Sequence, residues 1–521
     1  MRNPYVPKPA TAKTPITTQA RADQVKNAAG GFVFTLAPMD QLLRFLILGS
    51  DSPTFYASAK TLTKDNTKVV MACWTQYPKE TADLLLDVSR KNRAPRASPL
   101  LYALALGVCH EDVNTRRRAY GLVNELCRTG THLFEFVSYA VGLGHGWGRG
   151  MKRAIANWYE SKDVNSLSYQ VIKYRNRHGY THNRLLDLTH PKGFTEDHKS
   201  LYSWIVGKEQ TRANEYVDGF LRAQALKPDE VVKNADLLRH LPWEAVPTEL
   251  HNVPALWATL IPTMGMTALL RNLSRFARLD LTKPLSDLEE VIVRRLTDPE
   301  EIRRSRIHPF NILVGMYTYN SGRGFRGGDT WVPNKRISEA LEEAFYLSFG
   351  NIPKSSERTM IGLDVSGSMT WVKLMDSPIT PREAAAAMLM VTLRSAPRSY
   401  LQAFSHTLRD IEVDKKSSLA DVLRVTDKIP MGGTNGSLLI QKALNENIPV
   451  DKFIVYTDNE WWNGKHNFKL LEEYRHKTGI PAKFISVGMT ATGSTIADPR
   501  DKLSLDVVGF DTSAPTLIQE F

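Results

Sequence analysis

The chain holds 521 residues, 42% of them hydrophobic and 23% charged, an ordinary globular composition with room for two or more domains. No apolar stretch reaches the ~20 residues that a membrane-spanning helix needs, and the opening Met1-Arg2-Asn3-Pro4-Tyr5 lacks the apolar core of a secretory signal, so a cytoplasmic protein is expected. The net charge of +12 is unevenly spread: residues 351–521 carry 20 basic and 20 acidic side chains, so the whole excess lies in 1–350 and points to a polyanionic partner, nucleic acid first.

In chain order, residues 1–30 are polar and rich in Pro, Thr and Ala, and read as a flexible arm or a loosely docked segment. From about 36 to 340 the periodicity is helical. Ala119, Leu122, Val123 and Leu126 recur at i, i+3, i+4 and i+7, and Pro99 to Val108, Trp147 to Tyr159 and Ser168 to Arg177 read likewise. Helix after helix with short connections over some 300 residues predicts an α-solenoid, taken here as 31–350. Cys73, Cys109 and Cys127 show no metal-ligand spacing and read as reduced, buried thiols.

Two segments of this half carry candidate chemistry. Gly142 to Gly150, with Arg149, Lys152 and Arg153 beyond it, follows no strand and so fails as a dinucleotide-binding loop; it reads as a glycine-rich turn before a helix. Lys173 to Arg184 is the densest run of basic and aromatic groups in the chain. On a helix Lys173 and Arg177 would share one face. Arg175 and His182 lie in the same run, and His190 follows near a helix end. Arg and Lys grip phosphates, while His and Tyr rings stack on unpaired bases.

After Arg336 the texture changes. Apolar runs at Met360–Leu363, Tyr400–Phe404, Phe453–Tyr456, Lys483–Val487 and Leu505–Val508 alternate with helical segments such as Pro381–Arg394 and Ser437–Asn445. This predicts βαβ units and a doubly wound, mostly parallel sheet over 351–521. The first run delivers Asp364-Val365-Ser366-Gly367-Ser368 to a strand end, where such folds place ligands. Thr434 lies on the Gly-rich loop Met431–Gly436, and Asp458 ends the third run. Two carboxylates and three hydroxyls are hard donors suited to Mg²⁺, with Ca²⁺ or Mn²⁺ also accommodated.

Asp364, Ser366, Ser368, Thr434 and Asp458 together resemble the metal-ion-dependent adhesion site (MIDAS) of von Willebrand factor A domains. Gly146 to Lys152, the Lys173–His190 stretch and Leu241-Pro242-Trp243-Glu244 resemble the TROVE module of Ro autoantigen proteins, a family with the same domain order. The resemblance implies a monomeric, noncatalytic ribonucleoprotein component. Its helical module would be a ring of HEAT-like repeats closed by the A-like domain. Small noncoding Y RNA would bind the outer face, at positions matching Lys173, Arg177 and His190, and single-stranded 3′ ends of misfolded RNAs would enter the central hole. It further implies RNA quality control, with an exoribonuclease such as polynucleotide phosphorylase as partner. A second function class is a metal-dependent, adhesion-like protein-interaction module whose A-like domain captures an acidic side chain of a partner. A hydrolase is disfavoured, because no base or paired carboxylates of catalytic pattern stand out around the strand ends.

Overall fold

The computed structural model describes residues 13–50, 59–324, 328–350, 352–396 and 398–521. The chain divides into two compact units, one formed by residues 1–66 with 349–521 and the other by 67–348.

The first unit has two sheets. In chain order its strands are β1 (Gln24–Lys26), β2 (Phe32–Thr35), β3 (Thr359–Asp364), β4 (Ser399–Phe404), β5 (Leu408–Asp410), β6 (Lys452–Thr457), β7 (Lys483–Gly488), β8 (Ser494–Thr495) and β9 (Ser504–Val508). The larger sheet runs β9-β7-β6-β3-β4-β5, parallel throughout except for the antiparallel edge hairpin β4–β5. All six residues of β3 and of β6 are buried, as a sheet covered on both faces requires. Alternate residues serve opposite layers. Phe453 and Val455 join a core with Leu439, Ile440, Leu470 and Leu471 of the helices Ser437–Glu446 and Asn467–Thr478. Tyr456 points the other way, its hydroxyl 2.6 Å from Thr392 Oγ1 in the helix Pro381–Ser395. That helix opens on a capping box between Thr380 and Glu383.

The second, small sheet decides against the flexible arm and for a docked segment, as far as the described residues reach. β2 pairs antiparallel with β1 and with β8, so residues 13–50 fold into the unit that holds the parallel sheet. Residues 1–12 of the expected arm lie outside the described residues. Ile16 and Val33 enter the same core as Met360 and Phe404. Arg21 pairs with Asp498 through two short bonds, 2.5 and 2.6 Å, while its guanidinium lies over Phe34 and Phe468. Arg44, on the helix Pro38–Leu48, is 1% exposed and donates to the carbonyls of Thr492 and Ser494 and to Asp506. Sequence periodicity misses this because strands of two to four residues are too short to show a period.

The second unit is helical. Pro78–Arg90 packs on Val113–Leu126, which packs on Arg149–Glu160, which packs on His182–Thr189, while Ser98–Val108 packs on Gly130–Gly142. Every second helix stacks in one row, the arrangement of a solenoid. Asp112, Thr129, Asp163, Thr181 and Thr195 each cap a helix by accepting a backbone N–H, satisfying donors that the first turn leaves free. Trp74 and Trp158 are fully buried, their indole N–H groups donating to the carbonyls of Ala103 and Cys127. None of the three cysteines is in a disulfide, and burial alone pushes the Cys73 and Cys109 thiols up to about 11. Two stretches depart from the expected helix-after-helix reading: a short hairpin at 176–181, and the run from Pro228 to Asn252, where 3₁₀ turns flank only the short α-helix Ala235–Arg239. Among the described residues no helix is long and apolar enough to cross a membrane.

Candidate metal centre and nucleic-acid interface

β3 ends at Asp364, and the chain then turns sharply. Ser366 N–H donates to Asp364 Oδ1 at 2.9 Å, which folds the Ser366 hydroxyl back to 3.1 Å from that of Ser368. Asp458 follows the neighbouring strand β6, where Ser368 bonds to it and Glu460 N–H donates to its Oδ1 at 3.0 Å. Thr434 is brought in by its loop: Asn435 N–H donates to Ser405 O beyond β4, and Asn463 N–H donates to Thr434 O. The loop therefore lies between the ends of β4 and β6, which flank β3 on either side. All five side chains are at most 4% exposed.

The electrostatics of this cluster are those of an uncompensated pair. Burial first, and then the charge of Asp458, raise the Asp364 carboxyl well above its ordinary range, against the hydrogen bonds from Ser366 and Thr457. Burial raises Asp458 too, and burial with the charge of Asp458 pushes Glu460 up to about 7. The Thr434 hydroxyl is buried without a hydrogen-bond partner, a costly state for a polar group in a packed interior. An oxygen-seeking divalent cation would offset the repulsion and give Thr434 a partner, so the residues fit one. Among the described residues no three His, Cys, Asp or Glu side chains gather as a metal cluster; the fit rests on hydroxyls with two carboxylates.

Three supporting groups escaped the sequence reading. Thr457 donates to Asp364 Oδ2 at 2.7 Å and in turn accepts from the Trp461 indole. Asn27 donates to the carbonyl of Trp461 and Ala29 N–H to Glu460, so the N-terminal segment grips the loop that carries Asp458. Gly31 is required for that grip, since a Cβ there would lie 1.9 Å from Trp461 O. Thr457 could have been found from its place beside Asp458. Asn27 could not, because nothing local marks a partner some 430 residues away.

In the helical unit the basic-aromatic run is not one helix. The helix Val164–Lys173 stops at Lys173, and Asn176–Arg177 pairs antiparallel with Tyr180–Thr181 around a His178-Gly179 turn. Both turn residues have positive φ, 52° and 78°, the geometry of a tight hairpin that glycine favours. Lys173 and Arg177 therefore do not share a helix face. They do share a cleft of about 740 Å³, together with Arg175, Asn176, Trp204 and Phe220. Arg177 and Arg175 are exposed, the latter with its guanidinium 4.9 Å above the Phe220 ring. Tyr180 contacts Trp147 of the glycine-rich turn, which places the exposed Arg149 and Lys152 beside the hairpin.

Lys173 is half-buried and also lines a second cleft of about 800 Å³ with Trp243, Glu244, Arg271 and Arg304. His190 is exposed and ends the helix His182–Thr189 in a left-handed conformation, outside the lining of the first cleft. His182 is the clear correction. It is 2% exposed, its Nδ1 is 2.9 Å from the Tyr159 hydroxyl, and Phe134 and Trp158 pack on its ring. Although it edges the cleft, it is a core residue and offers no stacking face to RNA. Trp204, Phe220, Arg271 and Arg304 were missed because they come from distant helices.

Comparison with known proteins covers both units. The TROVE domain family matches residues 25–219 and 220–321, and the Ro60 vWA domain matches 358–521. The chain is 38% identical over 517 residues to a Deinococcus radiodurans protein named RNA-binding protein RO60, covering 97% of each chain. It is 33% identical to a Caenorhabditis elegans protein of the same name, covering 96% of this chain and 90% of that one. The crystal structure of the D. radiodurans Ro (RSR) protein superposes with a TM-score of 0.71 at 37% identity, covering 93% of this chain and 99% of that one.

Proposed function

The chain belongs to the Ro family, helical TROVE module and A-like domain together, and from that premise we propose that it is a noncatalytic RNA-binding scaffold. The observation that carries this reading is the exposed hairpin bearing Arg177, with Arg175 just before it, set beside a basic glycine-rich turn in the half of the chain that holds the whole charge excess. Phosphates would meet Arg177, Arg149 and Lys152, while the cleft beneath them, walled by Trp204 and Lys173, would admit an unpaired base. The finer reading is that a small noncoding Y RNA binds this outer face and that single-stranded 3′ ends of misfolded RNAs enter a central hole. The protein would act as a monomer in cytoplasmic RNA quality control, with an exoribonuclease such as polynucleotide phosphorylase performing any decay.

Affinity for a structured RNA should fall steeply as salt rises from about 50 to 200 mM, and a flat response would exclude phosphate-dominated binding. The double variant Lys173→Ala, Arg177→Ala should weaken binding by a few kcal/mol at most and lower the salt slope by about 1 per lost contact. Unchanged affinity would remove the hairpin from the interface.

A second activity is favoured by the orphaned Thr434 hydroxyl beside two buried carboxylates. Asp364, Ser366, Ser368, Thr434 and Asp458 would hold a divalent cation, Mg²⁺ foremost. When bound, the ion supplies a Lewis-acidic position for an oxygen of a partner protein. Saturating Mn²⁺ should raise the unfolding free energy of the intact protein, by about 2.7 kcal/mol at a hundredfold excess over Kd. Asp364→Ala should abolish the increase. An equal Mn²⁺ response in that variant would place the ion elsewhere.

A further inference from the structure

The three segments that carry the metal-site residues each also display one large apolar side chain to solvent. Trp371 is 73% exposed, Met431 54% and Trp462 41%. Their positions tie them to the ligand turn. The Trp371 ring lies over Gly367, between Ser366 and Ser368, where a Cβ would meet its indole at 3.7 Å. Trp462 packs so closely on Gly433, next to Thr434, that a Cβ there would come within 2.6 Å of its ring. Met431 is joined to the Trp371 helix, its Sδ accepting from Thr370 Oγ1 at 3.3 Å. Exposed aromatics scattered singly need no explanation, but three converging around one polar centre make a patch.

We propose that Trp371, Met431 and Trp462 form a docking rim for a protein segment that presents one Asp or Glu carboxylate flanked by apolar side chains. This rests on the metal reading above and deepens it by naming what surrounds the captured oxygen. Charge complementarity selects the carboxylate: Mg²⁺ takes six oxygen ligands, and five side chains leave at least one position for an anionic donor from outside. The rim selects what flanks it, because tryptophan and methionine supply large, adaptable apolar contact at interface centres. A polyanion is the poorer occupant, since residues 351–521 carry equal numbers of basic and acidic groups and offer no attracting field.

The test uses the full chain with Mn²⁺ and three short fluorescent peptides: one with Asp between Leu and Phe, one with Asp between Ser and Gly, and the first with Asn in place of Asp. The apolar-flanked Asp peptide should bind about tenfold more tightly than the Ser/Gly one, and EDTA or the Asn exchange should abolish its binding. Trp371→Ser should bring the two Asp peptides together while leaving the Mn²⁺ thermal shift intact. Equal binding of both by the unaltered protein, with that shift present, overturns the rim. A missing Mn²⁺ shift overturns the metal reading beneath it. Mn²⁺-dependent self-association lost in Trp371→Ser would assign the rim to a second copy of the chain, and displacement of the peptide by an oligoribonucleotide would assign it to RNA; either overturns the proposal.

Discussion

His182 shows how one residue's role depends on what surrounds it. In sequence it sits among Lys, Arg and Tyr and resembles its neighbours; in the fold burial pushes its imidazole down to about 3, and that of His132 to about 4. The sign of the consequence is fixed. Near pH 6 the unfolded chain takes up a proton that the folded chain refuses, so this group's contribution falls as pH drops below about 6.5 and levels off only below about 3. Glu460, raised to about 7, acts in the opposite direction, so the measurement must be a difference. His182→Gln should be less stable than the parent at pH 7, and the gap should shrink by about 2 kcal/mol by pH 5, because only the parent titrates. Urea midpoints of the two proteins at both pH values decide it. A constant gap would mean that His182 is not held neutral.

At the scale of elements, the short hairpin is where the helical reading and the structure part. Lys173 and Arg177 are four apart, which on a helix would align them, yet the helix stops at Lys173 and the two positive-φ residues His178-Gly179 reverse the chain into a hairpin. The residue pair that signals such a turn was present in the sequence, but strands of two residues leave no alternation to read. Gly179→Val should therefore strain the turn by about 1–3 kcal/mol and displace Arg177. Expected is a loss of RNA affinity like that of Arg177→Ala, with most helical circular dichroism retained. Full affinity in Gly179→Val would show that Arg177 reaches RNA without the hairpin. The parallel strands were legible for the converse reason: β3, β6 and β7 are six-residue, nearly all-buried strands built around short apolar runs, and such runs announce themselves without any partner.

At the scale of the whole molecule, the unexpected feature is that residues 13–50 complete the unit built from the far end of the chain. Arg44 is the clearest link, its buried guanidinium shared between Asp506 and the carbonyls of Thr492 and Ser494. Arg44→Met keeps the stem and removes the fork, leaving a carboxylate and two carbonyls without their donor. It should cost about 3 kcal/mol, read as a lower urea midpoint for the unit that holds the parallel sheet. A midpoint within about 0.5 kcal/mol of the parent would mean that solvent replaces the fork. Because Asn27 and Ala29 of the same segment hold the loop carrying Asp458, weaker Mn²⁺ binding should accompany the loss.

The sequence by itself determined the two fold classes and the concentration of positive charge in 1–350, because these are written in local pattern, as period and composition, while the five oxygen-bearing side chains were singled out through a resemblance and not by pattern alone. Only the tertiary structure decided which basic residues face solvent, that His182 is core, and that residues 13–50 belong with the far end of the chain. Burial is a property of neighbours, and those neighbours lie tens to hundreds of residues away: Tyr159 for His182, Asp506 for Arg44, Glu460 for Ala29. Proximity of that kind leaves no periodic trace along the chain, since contact between distant segments constrains each only to fit the other.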